Sequence, residues 1–307
     1  MAIRITGNYY NKKNNPELAK ISLEKAFKLD TSDARVLMEL DQLYKKLGIS
    51  AEVRLAHLER YPDEVAYRDD LYLEKATLYN LTGNEKYALE LIMKRQFHPW
   101  EGGEGKVVGQ YLYAHMALAK RAIDQGDYQD AVDHLKLCYE YPQNLGEGKL
   151  FGSQENDINY WLGCAYDGLG ETERAIEAWE NAAVGLSEPG AAMYYNDQQP
   201  DKIFYQGLAL LKLGREDKAR SRFNKLLKYG EKHLFIPFKM DYFAVSLPDL
   251  LIFEEDLQKR HEIHCHYLMA LGQLGLGNNE KAKAQFQKIL SEDCYHIGAI
   301  FHQKLVG

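Results

Sequence analysis

Seven times along this chain a small residue is answered about four residues later by a large apolar one, in a helical context. The beats fall at Ala19, Val53, Ala88, Ala131, Ala175, Ala219 and Ala282. Around the clearest beat the chain reads Leu162, Gly163, Tyr166, Gly170, Ala175, Trp179 and Ala182. The same register returns at Ala119, Gly126, Ala131 and Leu135. It recurs at Gly207, Gly214, Ala219 and Phe223, and again at Ala270, Gly277, Ala282 and Phe286. Two helices approach to about 8–10 Å only where the crossing residue is small. Large neighbours such as Leu162, Tyr166 and Trp179 then fill the groove beside the crossing. An ordinary bundle has no reason to hold one register through so many pairs, whereas stacked repeats do.

This pattern resembles the 34-residue tetratricopeptide repeat (TPR), a helix–turn–helix unit that stacks on its neighbours. The resemblance implies an all-α fold: a right-handed TPR-type α-solenoid of about seven helix pairs and a C-terminal capping helix. One domain over residues 1–307 is expected, with repeats near 1–33, 34–68, 69–102, 112–145, 156–189, 200–233 and 263–296. Residues 297–307 form the expected cap, Ile297, Ile300, Phe301 and Leu305 supplying its apolar side. The first repeat's pattern begins just before Met1, without a polar cap. We therefore expect the chain to be the C-terminal part of a longer protein.

Apolar residues make up 46% of the 307, enough for a continuous interior, and only 8 prolines interrupt it. A net charge of −7 disfavours a nucleic-acid partner. No window approaches the ~18 apolar residues of a membrane helix, so no membrane partner is expected. Met1-Ala2-Ile3-Arg4 has no signal-peptide core behind it. Cys138, Cys164, Cys265 and Cys294 are far apart and fit neither a disulfide framework nor a zinc motif; reduced, mostly buried thiols suit a cytoplasmic protein. His261, His264, Cys265 and His266 resemble metal ligands, but no second Cys/His pair completes four, so neither metal nor cofactor is expected.

Successive beats lie 34, 35, 43, 44, 44 and 63 residues apart. The surplus falls between the second helix of one repeat and the first helix of the next, near 103–111, 146–155, 190–199 and 234–262. Each helix pair returns the chain to its starting side, so these insertions should share one edge, where binding faces often form. Two are near copies: Gly103-Glu104-Gly105-Lys106-Val107-Val108-Gly109-Gln110 answers Gly146-Glu147-Gly148-Lys149-Leu150-Phe151-Gly152-Ser153-Gln154. Stacking should set Glu104 near Glu147 and Lys106 near Lys149. Neither string is a phosphate loop, since Val107 and Leu150 stand where Ser or Thr is required. Their Glu and Lys either pair with neighbours or read a polar ligand.

Trp100 and Glu101 head the first insertion, and Tyr194, Tyr195, Asn196 and Asp197 sit in the third. Aromatics beside short polar groups suit either a sugar or a protein interface. The fourth, running through Asp241 and Tyr242 to Phe253, is too apolar to be a solvated loop and must pack on something. Asp241 with Glu104, Glu147 or Glu155 could form an acid/base pair only if they converge. The first helices of the pairs show no run of Lys, Arg and Asn of the kind that clamps a peptide carboxylate.

The strings at Arg95–Gln110, Asn144–Asp157, Ala192–Asp201, Asp241–Leu251 and Glu262–Leu268 resemble those of one bacterial family. In it a TPR region closes a larger protein whose N-terminal part is an uncharacterised β-sandwich resembling galactose mutarotase. That resemblance implies a missing upstream domain. The expected function is an interaction module that binds its own upstream domain or another polypeptide. The alternative is a carbohydrate-active protein whose loops complete a glycan site. No catalytic residue is identifiable on either reading.

Overall fold

A computed structural model describes Arg4, Gly7 and residues 15–100, 102–192, 197–238 and 256–306. Among them the fold is all-α, with fifteen α-helices and no strand. The chain packs as two compact units. Among the described residues the first comprises those within 1–110 with 144–146 and Asp256, and the second those within 111–143, 147–238 and 257–306.

The first unit contains α1 (Pro16–Leu29), α2 (Ala34–Lys46), α3 (Ala51–Leu58), α4 (Pro62–Ala66), α5 (Asp69–Leu81) and α6 (Glu85–Lys94). Local chemistry sets the starts. The Asp33 carboxylate accepts from the backbone N–H groups of Arg35 and Val36, both at 3.0 Å, capping α2. Asn15 caps α1 likewise, and Pro16 occupies its first turn, where no N–H is needed. Ala19 and Ala88 are fully buried, as close helix crossing requires.

The second beat departs from the sequence reading. Val53 is 59% exposed, and the crossing position falls one residue later, on the fully buried Arg54. Four residues on, Leu58 supplies the buried large residue. The largest side chain thus takes the place of the smallest, and buried acids compensate it. Arg54 donates to Asp41 from Nε at 3.1 Å and from Nη2 at 2.6 Å, and the same Nη2 reaches Glu74 at 2.6 Å. Lys45 donates to the same Glu74 oxygen at 3.3 Å. Burial would raise the Glu74 carboxyl, but the charges of Lys45 and Arg54 hold it down at about 2. For Asp41 burial prevails, lifting it above its usual range against the pull of Arg54.

The second unit is built from four helix pairs, the first helix belonging to it from Tyr111 onward: α7 (Lys106–Gln125) with α8 (Tyr128–Leu137), α9 (Asn156–Gly168) with α10 (Thr172–Ala182), α11 (Pro200–Lys212) with α12 (Glu216–His233), and α13 (Leu257–Gly275) with α14 (Asn279–Glu292). Here the small–large register holds throughout. Ala131, Ala175, Ala219 and Ala282 are all inaccessible, and Leu135, Trp179, Phe223 and Phe286 follow them in the core. Gly163 lies against the Trp179 ring and Gly207 against Phe223, so closely that a β-carbon at either would overlap the ring. α15 (Ile297–His302) and a 3-10 turn (Gln303–Leu305) close the described chain.

Candidate interaction site

The connections between pairs are where the expected site residues lie. In the first unit, the segment after α6 is pinned by Asp69, which takes Arg95 Nε at 2.5 Å and the His98 backbone N–H at 3.0 Å. Phe97 is buried, and its N–H donates to the Asn144 carbonyl at 2.8 Å. Asn144 returns the favour, its amide donating to the carbonyls of Ile92 and Arg95. Trp100 folds over Gly103, whose N–H donates to the Trp100 carbonyl at 2.9 Å. Glu104 is exposed, and so is Lys106 at the first turn of α7. Glu101 lies outside the described residues.

The near-copied strings take different structures. In the first, helix begins at Lys106, earlier than the repeat template places it, so Val107 and Val108 turn into the core with Gly109 in the helix behind them. In the second, α9 does not begin until Asn156, and Gly152 adopts φ 84° in a turn. Leu150 and Phe151, the counterparts of the two buried valines, are therefore outside: Leu150 is 48% and Phe151 108% exposed. The extra residue Ser153 separates the strings, its hydroxyl donating to the Leu150 carbonyl at 2.8 Å within the turn. Lys149 secures the same loop, donating to the Tyr139 carbonyl at 3.0 Å and pairing with Glu155. Glu147 is half-buried. Glu104 and Lys106 belong to the first unit, Glu147 and Lys149 to the second.

The third connection is anchored by Asn156 and Gln206, to which the sequence reading assigned no role, and by His264 of the histidine cluster. Asn156, at the head of α9, donates to the carbonyls of Ala182 and Val184 at 2.8 and 2.7 Å. The fully buried Gln206 of α11 donates to the Leu186 carbonyl at 2.8 Å, itself steadied by Arg222 Nε at 3.1 Å. His264 Nε2 meets the Gly190 carbonyl at 2.8 Å, spanning 74 residues. With its backbone held from below, the loop turns Val184 (63% exposed) and Leu186 (68%) outward. The Asp197 carbonyl takes Gln199 Nε2 at 3.3 Å. Tyr194, Tyr195 and Asn196 lie outside the described residues, as do Asp241 and Tyr242 of the fourth connection. The described start of that connection carries Phe235 (87% exposed) and Ile236.

The histidine cluster is spread among separate partners. His261 Nε2 lies 3.0 Å from the His233 carbonyl, His264 from Gly190 as above, and His266 Nδ1 2.7 Å from Gln285 Oε1. Burial pushes His264 down to about 4 despite its backbone hydrogen bond. Among the described residues no three His, Cys, Asp or Glu side chains gather in metal-binding geometry. Cys138 and Cys265 are buried, Cys164 is half-buried and Cys294 exposed. No described helix is long and apolar enough to cross a membrane.

Three stretches match tetratricopeptide-repeat profiles: residues 7–33, 116–191 and 203–229. The chain therefore carries tetratricopeptide repeats. Among solved structures it is similar to a tetratricopeptide repeat protein from Parabacteroides merdae, at 12% identity and TM-score 0.45, over 99% of this chain and 97% of that one. It is also similar to the P58(IPK) TPR domain, at 12% identity and TM-score 0.35, over 99% of this chain and 87% of that one. A third is a chain of the Naa15/Naa10 complex bound to HypK-THB, at 14% identity and TM-score 0.40, over 98% of this chain and 50% of that one.

Proposed function

We propose that this chain is a protein-interaction module whose partner docks on the connections between helix pairs of the second unit. Three consecutive connections each present large apolar side chains to solvent: Leu150 and Phe151, Val184 and Leu186, and Phe235 and Ile236. Antiparallel pairs return the chain to one side, so these connections leave from the same ends of their pairs. Bare aromatic and aliphatic side chains grouped in this way mark protein contact surfaces. Phe151 carries the reading. Its counterpart Val108 is buried, whereas an anchored loop holds Phe151 wholly in water. The partner is the domain that the family resemblance places upstream, or another polypeptide. The test compares wild type with Leu150→Asp/Phe151→Asp in affinity purification from cells of the source organism, with quantitative mass spectrometry. The proposal expects at least one co-purifying protein to fall tenfold or more in a variant of unchanged circular dichroism. An identical set of proteins at unchanged abundance would refute it.

A further inference from the structure

One cleft of the first unit gathers basic groups that the fold itself does not use. It encloses about 210 Å³. Lys20 and Glu24 of α1, Tyr44 of α2, and His57 and Arg60 at the end of α3 line it, with Ile49 and Val53 as its apolar edge. Other cations of this unit are neutralised: Arg54 by Asp41 and Glu74, and Arg95 by Asp69. Lys20 and Arg60 form no ion pair among the described residues. Lys20 Nζ stands over the Tyr44 ring instead, 6.0 Å from its centre. The carboxylate in the cleft is already engaged, since Glu24 accepts from the Tyr44 hydroxyl at 2.8 Å.

His57 shares the cleft with its ring held in place. Phe27, Tyr44 and Tyr61 stand edge-on to it, with ring centres 6.1, 5.6 and 5.5 Å away. Its Nδ1 is buried with no hydrogen-bond partner among the described residues. Buried orphans of this kind mark the place of a water, an ion or a ligand. Burial, and after it the charge of Arg60, holds the imidazole below its usual range against the opposing pull of Glu24. An anion entering the cleft reverses that balance and favours the protonated ring.

Charge decides which ligand fits. With His57 protonated, three positive groups (Lys20, His57 and Arg60) stand against Glu24, a surplus of two. A phosphate monoester brings about −1.5 to −2 at pH 7. Arginine meets its oxygens with two parallel donors, and lysine adds a point charge. A carboxylate would leave one cation uncompensated. Size narrows the choice, because pockets for drug-sized ligands hold about 300–1,000 Å³, so a nucleotide is too large here.

We propose that this cleft binds a small phosphate monoester, its phosphoryl group held by Lys20, His57 and Arg60 and its carbon body set against Ile49, Val53 and the Tyr44 ring. The site shares no residue with the connections assigned to a protein partner, so either assignment can fail alone.

The test titrates the full chain by isothermal calorimetry with phenyl phosphate, inorganic phosphate and sulfate. Phenyl phosphate should bind with a sub-millimolar Kd. Arg60→Gln and Lys20→Gln should each weaken it about tenfold or more, as loss of a charge-assisted hydrogen bond implies, with circular dichroism unchanged. Lys86→Gln, which removes an exposed cation of the same unit, should leave the affinity as it is. Sulfate stays dianionic through the neutral range, so it isolates the imidazole: its affinity should rise from about pH 8 to about pH 6 in wild type and stay level in His57→Gln. Absence of binding at millimolar phenyl phosphate would overturn the proposal. Equal weakening by Lys86→Gln would overturn it by reducing the attraction to diffuse surface charge. Inorganic phosphate binding as tightly as phenyl phosphate would overturn the monoester in favour of a free-ion site. A sulfate profile unaltered by His57→Gln would overturn the part given to His57.

Discussion

Replacing Arg54 with alanine sets two arguments in direct opposition. The repeat pattern favours a small residue there, since the corresponding Ala19, Ala88, Ala131, Ala175, Ala219 and Ala282 are all fully buried. Alanine also has the better helix propensity. On that logic Arg54→Ala should be neutral or stabilising. The structure says otherwise. The Asp41 side chain is 1% exposed and accepts from Nε and Nη2 of the guanidinium, and Glu74 accepts from the same Nη2 at 2.6 Å. Removing one partner of a buried ion pair costs about 3–5 kcal/mol, because the remaining charge stays desolvated. The vacated volume adds to the loss. We expect Arg54→Ala to lose at least ~3 kcal/mol at pH 7. Since burial already raises Asp41, its carboxyl should rise further and become neutral as pH falls, so the deficit should be smaller at pH 5. Arg54→Met/Asp41→Leu, which removes both charges, should recover most of the loss. Two compact units need not unfold together. The assay is therefore guanidinium denaturation with hydrogen exchange read over residues 34–81. A variant within 1 kcal/mol of wild type, or more stable, would refute the reasoning.

Other outcomes follow from the same geometry. Val108→Asp should prevent folding or cost several kcal/mol by burying a charge, whereas Phe151→Asp at the matching place in the copied string should stay within about 0.5 kcal/mol of wild type in urea melts. Gly207→Ala should cost about 1–3 kcal/mol through overlap with the Phe223 ring, and Phe223→Leu in that background should restore part of it, read as calorimetric melting temperatures. Burial, and for His115 also the neighbouring His134, depresses His115 and His264 to about 4. Below pH 6.5 the unfolded chain takes up protons that the folded chain refuses until about 4. Their contribution is thus full above pH 6.5 and falls as pH drops toward 4, by up to ~1.4 kcal/mol per pH unit for each histidine. His264→Gln, able to keep the bond to Gly190 without titrating, should flatten the urea-measured profile; an unchanged slope would contradict this.

The helix pairs were legible because one steric need, a small residue at each crossing, repeats where nothing else interferes. Val53 misled for the same reason. As the smaller residue it looked like the crossing, while Arg54 meets that place through acids on two other helices, which no local window reveals. The copied strings misled differently. Gly-Glu-Gly-Lys is shared, but one additional residue, Ser153, lets the second string turn where the first enters a helix. The anchors Asn144, Asn156, Gln206 and His264 bond to backbone carbonyls up to 74 residues away. Asn156 and Gln206 are polar residues at buried helix positions, Asn144 is half-buried in a 3-10 turn, and His264 stood out only as a member of the histidine cluster. The ring contacts of Phe301 with Tyr113, and of His302 with Tyr205 and Tyr267, were not legible because each tyrosine looks like an ordinary packing residue in its own repeat.

The most direct test of an interaction role is photo-crosslinking from position 151 in living cells, with p-benzoylphenylalanine in place of Phe151 and the same group at Tyr87 of the first unit as control. The account predicts one discrete protein adduct from position 151, absent from position 87 and lost when Leu150→Asp is added. No adduct from position 151, or the same adducts from both positions, would contradict it.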